Sequence, residues 1–184
     1  FLPGFTQASS KLKLAVETIS ERAENGHRMI LFSQFTSMID LISEALDARG
    51  IDHLILTGQT KAEDRMTLIR RFQQGDIPVF LISLKAGGTG LNLTAADTVI
   101  HYDPWWNQSV EDQATDRTHR IGQHRTVHVI RLICKHTIEE KIMALKAKKA
   151  GLSEQVVGGN KSLLSALTPE DLRDLFDLTT HTDS

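Results

Sequence analysis

At 184 residues, with 24% charged and 40% hydrophobic side chains, the chain is long enough for one domain whose core needs no metal or disulfide. Its formal net charge of −2 excludes nucleic-acid binding by bulk charge, so any contact with DNA or RNA must come from a few placed side chains. The single Cys134 excludes an internal disulfide, and no apolar run reaches the length of a transmembrane helix.

Ser9 or Ser10 is placed to cap a first helix with Leu12, Val16 and Ile19 on one stripe, fraying out near Asn25-Gly26. The N-terminus shows no signal-peptide pattern, and Phe1 is not a natural start, so a piece of a longer protein is expected. Residues 28–33 have strand length and composition. Residues 37–49 follow as a helix with Ile39, Ile42 and Leu46 at core spacing and Gly50 as its stop. Residues 53–57 predict a second strand, and 61–74 a helix with Met66, Ile69 and Phe72 inward and Gly75 closing it. Residues 78–83 predict a third strand, with the glycine-rich turn Gly87-Gly-Thr-Gly90 directly after it, and 98–102 a fourth.

The next helix, capped by Asn107 or Ser109, carries the most informative run, Gln113-Ala-Thr-Asp-Arg117-Thr-His-Arg120-Ile-Gly-Gln123. Residues 127–134 predict a fifth strand, and the apolar neighbours Leu132 and Ile133 predict a buried Cys134 thiol in a reducing, intracellular setting. Thr137 and Glu140 are spaced as a capping box for a helix that reaches Lys146-Ala-Lys-Lys149 and stops near Gly151. Those lysines read as a solvated helix end. Val157-Gly-Gly-Asn160 reads as a break, and Thr168-Pro-Glu-Asp171 as a helix start with proline in the first turn. Leu172, Leu175 and Phe176 would form the docking face of that last short helix, and disorder is expected after Asp177.

Alternating strands and helices, with near-continuous apolar strands, predict an α/β fold with a parallel sheet covered on both faces. Ligands in such sheets sit beyond the carboxyl ends of the strands. The segments richest in unusual residues, 83–92 and 103–123, both follow strands.

Arg117 and Arg120 lie three apart on the predicted helix, so both guanidiniums can reach one target from one face. A planar, permanently charged fork suits phosphate oxygens. Surface pairing with Glu111, Asp112 and Asp116 is the alternative, but such pairs are worth only about 0–1 kcal/mol. Gly87 to Asn92 is either a tight connection or a phosphate-cradling loop, flanked by Ser83, Lys85 and Asn92. It is neither a Walker A motif nor a dinucleotide fingerprint. Asp103-Pro-Trp-Trp-Asn107 holds both tryptophans. One is expected in the core, leaving the other to stack on a base or ribose or to pack on a partner. The eight histidines show no metal-ligand spacing, and no nucleophile elbow is present.

In this order the segments resemble the second RecA-like lobe of superfamily-two helicases, and specifically of the Swi/Snf family of double-stranded DNA translocases. Residues 30–35 (Ile-Leu-Phe-Ser-Gln-Phe) resemble motif IV. Leu56-Thr-Gly58, with Arg65 and Phe72 beyond it, resembles motif IVa. Residues 83–92 resemble motif V, 103–107 motif Va and 113–123 motif VI.

The resemblance implies a RecA-like sheet sandwiched by helices over residues 28–155. It leaves a linker and helix over 1–27 and a tail with one docking helix over 156–184. It implies that Arg117 and Arg120 are arginine fingers, catalytic and ATP-binding, and that Gly90 and Asn92 line the nucleotide side. Ser83, Lys85 and Trp106 become DNA contacts, with Gln34 and Gly58 bordering the DNA track. ATP with Mg is expected, bound mainly by the first lobe, whose Walker motifs are absent from this chain. The implied partners are double-stranded DNA, the N-terminal RecA-like lobe of the same chain and a DNA-bound protein to be displaced, with no membrane. The alternatives are a lobe of a strand-separating helicase, or a non-catalytic binding module with a decayed motor fold. The compact layout inclines toward a bacterial or archaeal source; nucleoid-associated cytoplasm is expected in a prokaryote and the nucleus in a eukaryote.

Overall fold

The computed structural model describes residues 9–87, 91, 93–103, 126–135, 137–153, 168, 169 and 171. Within them the chain runs α1 (Ser10–Glu24), β1 (Met29–Ser33), α2 (Thr36–Asp47), β2 (His53–Leu56), α3 (Ala62–Gln74), β3 (Val79–Ser83), α4 (Leu84–Gly87), β4 (Thr98–His101), β5 (His128–Arg131) and α5 (Ile138–Ser153).

Local chemistry sets the ends of these elements. The Ser9 hydroxyl accepts the Leu12 N–H at 3.2 Å and starts α1. Gly26 and Gly50, at φ +76° and +66°, turn the chain out of α1 and α2 in a conformation that side chains with a Cβ disfavour. The Thr137 hydroxyl accepts from Glu139 N at 3.3 Å and donates to the Cys134 carbonyl at 2.7 Å, which opens α5. Farther on, Thr168 Oγ1 accepts from Asp171 N at 3.1 Å while Asp171 Oδ2 accepts from Thr168 N at 2.9 Å. That reciprocal cap is what the predicted helix start requires.

Among the described residues all strand pairs are parallel, and five strands form the sheet in the order β2-β3-β1-β4-β5. Alternate residues along a strand face opposite sides, so the sheet has two cores. On one face Ile30, Phe32, Leu54, Leu56, Phe80, Ile82 and Val99 meet Ile69 and Phe72 of α3. On the other, Met29, Leu31, Val79, Leu81 and Ile100 meet Leu12, Val16 and Ile19 of α1 and Ile39, Ile42 and Leu46 of α2. The predicted α/β fold, with helices on both faces of a parallel sheet, is what the chain adopts.

The structure corrects several expectations, among them Lys146, which reads as part of a solvated helix end and is in fact buried. Met66 is not inward but 62% exposed; the inner stripe of α3 is Arg65, Leu68, Ile69 and Phe72, at i, i+3, i+4 and i+7 spacing. The Arg65 Nε donates to the Thr60 carbonyl at 3.2 Å, which draws its stem to that face. The turn does not follow β3 directly, because α4 intervenes: the Ser83 hydroxyl accepts the Ala86 N–H at 3.3 Å and caps it. Among the described residues β5 is an edge strand, with Val129 37% exposed.

α1 and α5 are joined by a half-buried ion pair. Lys11 Nζ reaches both carboxylate oxygens of Glu139 at 2.7 Å and sits 5.0 Å from the Tyr102 ring centre.

Candidate functional site

The strand order fixes where a site can form. From β1 the chain leaves toward β2 on one side, whereas from β4 it leaves toward β5 on the other. The connections after β1 and β4 therefore diverge, and adjacent strands with diverging exits create a crevice at their carboxyl ends.

Four of the sequence-predicted residues lie along this edge. Gln34 directly follows β1, half-buried. Ser83 ends β3 in register with Ser33 of β1, and exposed Lys85 stands on α4 just beyond it. Gly58 follows β2 in an exposed turn. The order β2-β3-β1 thus aligns Gly58, Lys85 and Gln34 across three neighbouring strands. The Gly58 turn is held by the Thr60 N–H donating to the Thr57 carbonyl at 3.1 Å and by Thr57 N donating to Thr60 Oγ1 at 3.0 Å. A Cβ on Gly58 would meet nothing within 4 Å, so the surface there is open. Ser83 is buried, its hydroxyl occupied in capping α4. Gly90, Asn92, Trp106, Arg117 and Arg120 lie outside the described residues.

Two residues of the edge, Ser33 and Asp103, were not given a role by the sequence. Buried Asp103, just past β4, accepts the Ser33 hydroxyl at 2.5 Å and the Gln34 N–H at 3.1 Å, both through Oδ2. Ser33 Oγ in turn accepts the Phe35 N–H at 3.2 Å. A buried carboxylate is stable only when hydrogen-bonded, and the apolar strand that precedes Asp103 was the available signal.

The other polar concentration is at the opposite, amino end of the sheet. A cavity of about 420 Å³ lies there, lined by Arg22, His27, His128 and Ile130 among others. Arg22 Nη1 donates to Thr98 Oγ1 at 3.1 Å, and His27 Nδ1 lies 3.1 Å from Asp97 Oδ2. Nearby, the Arg28 guanidinium carbon is 4.6 Å from the Phe72 ring centre. Burial lowers the Arg28 pKa, with Asp76 and Asp97 opposing that shift. The described residues contain no group of three or more His, Cys, Asp or Glu able to hold a metal ion, and none of their helices is long and apolar enough to cross a membrane.

Comparison with known proteins agrees with this architecture. The family described as helicase conserved C-terminal domain matches residues 10–122. An uncharacterized ATP-dependent helicase of Mycoplasma pneumoniae is 43% identical over 175 residues, covering 95% of this chain and 17% of that protein. The chromatin-remodeling ATPase INO80 of Homo sapiens is 42% identical over 169 residues, covering 91% of this chain and 11% of that protein. The SWI2/SNF2 ATPase core domain of Sulfolobus solfataricus superposes with a TM-score of 0.75 at 36% identity, covering 94% of this chain and 35% of that one. These matches define a RecA-like helicase C-terminal lobe. The chain belongs to the Swi2/Snf2 family of ATPases, as the order of its motifs led us to expect. It spans between about a tenth and a sixth of the length of the two relatives named.

Proposed function

We propose that this chain is the second motor lobe of an ATP-dependent translocase that moves along double-stranded DNA, inactive without the first lobe. The observation that carries the reading is the alignment of Gly58, Lys85 and Gln34 along one sheet edge, in a chain similar to a chromatin-remodeling ATPase. A few placed groups following a phosphate backbone reconcile DNA binding with a net charge of −2. In this reading Lys85 supplies charge to the backbone, with Ser83 at its base, and Gln34 and Gly58 border the track. Trp106 approaches the duplex.

Arg117 and Arg120 are the arginine fingers, and Gly90 and Asn92 line the nucleotide side. Phosphoryl transfer depends mainly on positioning and charge stabilisation, and an arginine finger contributes about 10³–10⁵ in rate. ATP arrives with Mg²⁺, which neutralises phosphate charge, and both are held mainly by the first lobe. Fingers on a separate lobe make turnover depend on lobe closure, and backbone grips on both lobes convert closure into stepping. The load is a protein bound to the DNA. The motor works in the cytoplasm on the nucleoid in a prokaryote, or in the nucleus in a eukaryote.

The test is arginine substitution in the full-length protein. Arg117→Ala or Arg120→Ala should leave ATP binding largely intact and reduce DNA-stimulated turnover by about 10³-fold or more. Normal hydrolysis by either variant contradicts the finger assignment. The 184-residue chain alone should show no measurable ATPase activity, and robust turnover by it would contradict the division of the site between lobes.

A further inference from the structure

We propose that Asp103 is a positioning residue for DNA engagement: it ties the turn after β1 to the exit of β4 and so holds Gln34 in place on the track. This rests on the translocase reading above. β1 and β4 are neighbours in register, with Phe32 opposite His101, yet the chain leaves them in opposite directions. Among the described residues no strand ladder couples the two exits past these ends, and the Tyr102 N–H to Phe32 carbonyl bond at 2.9 Å is the last rung. Asp103 continues the coupling by side chain. Its Oδ2 takes the Ser33 hydroxyl at 2.5 Å and the Gln34 N–H at 3.1 Å.

The tie is directional in its effect. Gln34 N is fixed by Asp103, Phe35 N by Ser33 Oγ at 3.2 Å, and the Phe35 carbonyl then accepts Met38 N and Ile39 N at 3.2 Å to begin α2. The main chain on both sides of the Gln34 side chain is thereby anchored. Ser33 is also in register with Ser83, whose hydroxyl caps the short helix bearing Lys85. One buried carboxylate therefore sets how the β1 exit stands relative to the exit of β4.

Both contacts end on a single oxygen, and this makes the proposal testable by a conservative change. Asp103→Asn keeps a carbonyl oxygen able to accept both hydrogens, whereas Asp103→Ala removes the acceptor. Hydrogen bonds to a charged group in a buried setting are the stronger class. In the full-length protein, Asp103→Ala should therefore raise the duplex-DNA concentration for half-maximal ATPase stimulation about tenfold. The KM for ATP should move less than about twofold, and Asp103→Asn should stay within about threefold of the parent on both measures. Should Asp103→Ala fail to fold, Ser33→Ala substitutes for it, with an expected rise in half-saturating DNA of about threefold. Equal effects on ATP and DNA, or half-saturating DNA unchanged in whichever of the two alanine variants folds, would overturn the positioning role. A full-length parent protein whose ATPase ignores DNA instead overturns the translocase reading beneath it.

Discussion

Glu139 serves three groups at once. It receives Lys11 Nζ on both oxygens at 2.7 Å and the Cys134 N–H on Oε2 at 2.9 Å, and it lies close enough to the Cys134 sulfur to perturb it. Burial pushes the thiol's pKa up, the Glu139 carboxylate adds to the shift and Lys11 partly offsets it. The expected buried thiol is in fact half-buried, and that burial is the first cause of the shift, ahead of Glu139. Alkylation of Cys134 by iodoacetamide at pH 8 should accordingly be slower than that of a free thiol, and Glu139→Gln should accelerate it. An unchanged rate in Glu139→Gln would remove the carboxylate from the explanation. The shift also has a consequence for stability. A folded-state pKa above the unfolded value means the contribution is fully present below the ordinary thiol range and is lost as pH rises through the folded value. Tyr102, raised first by burial with Ser9 opposing, loses its contribution the same way at still higher pH. Denaturation midpoints measured upward from pH 8 should fall, and less steeply in Cys134→Ala.

Between elements, the ion pair of Lys11 and Glu139 links the first and last long helices of the described fold. Lys11 is 9% exposed and its partner side chain 23%, so little water screens them. Breaking such a pair leaves a poorly solvated carboxylate, and Lys11→Met should cost about 3 kcal/mol in chemical denaturation. Replacing both partners together, Lys11→Met with Glu139→Leu, should recover much of that loss. A double variant as unstable as the single would show that the pair is not what couples these helices. The elements themselves were readable where the apolar spacing was unambiguous. Leu12, Val16 and Ile19, and likewise Ile39, Ile42 and Leu46, are buried as their periodicity requires. α3 was harder, because the spacing of Leu68, Ile69 and Phe72 puts Arg65 inward, where residue type alone favours Met66; the Thr60 carbonyl receives the Arg65 Nε there. The edge position of β5 was not readable, because an apolar run does not reveal whether a strand has one neighbour or two. α4 left a signal in Ser83, a residue type suited to capping, but four residues are too few for any periodicity to show.

At the scale of the whole molecule, the carboxyl edge was legible because unusual residues cluster after strands, and a parallel sheet sends all such segments to one end. The tie through Asp103 was not legible, since Ser33 and Asp103 are far apart in sequence and become neighbours only through the strand order. The family's descriptive match covers residues 10–122, which includes motifs IV to Va and nearly all of motif VI. In the proposed motor this lobe supplies charge at two places, the phosphates of a nucleotide held elsewhere and the backbone of a duplex crossing the sheet edge. Neither is useful without the other lobe. The most direct measurement is ATP-driven displacement of a triplex-forming strand from duplex DNA by the full-length protein. Displacement should require ATP, be abolished by Arg117→Ala, and occur without separation of the strands of a plain duplex. Strand separation without triplex displacement, or triplex displacement undiminished in Arg117→Ala, would contradict the translocase reading.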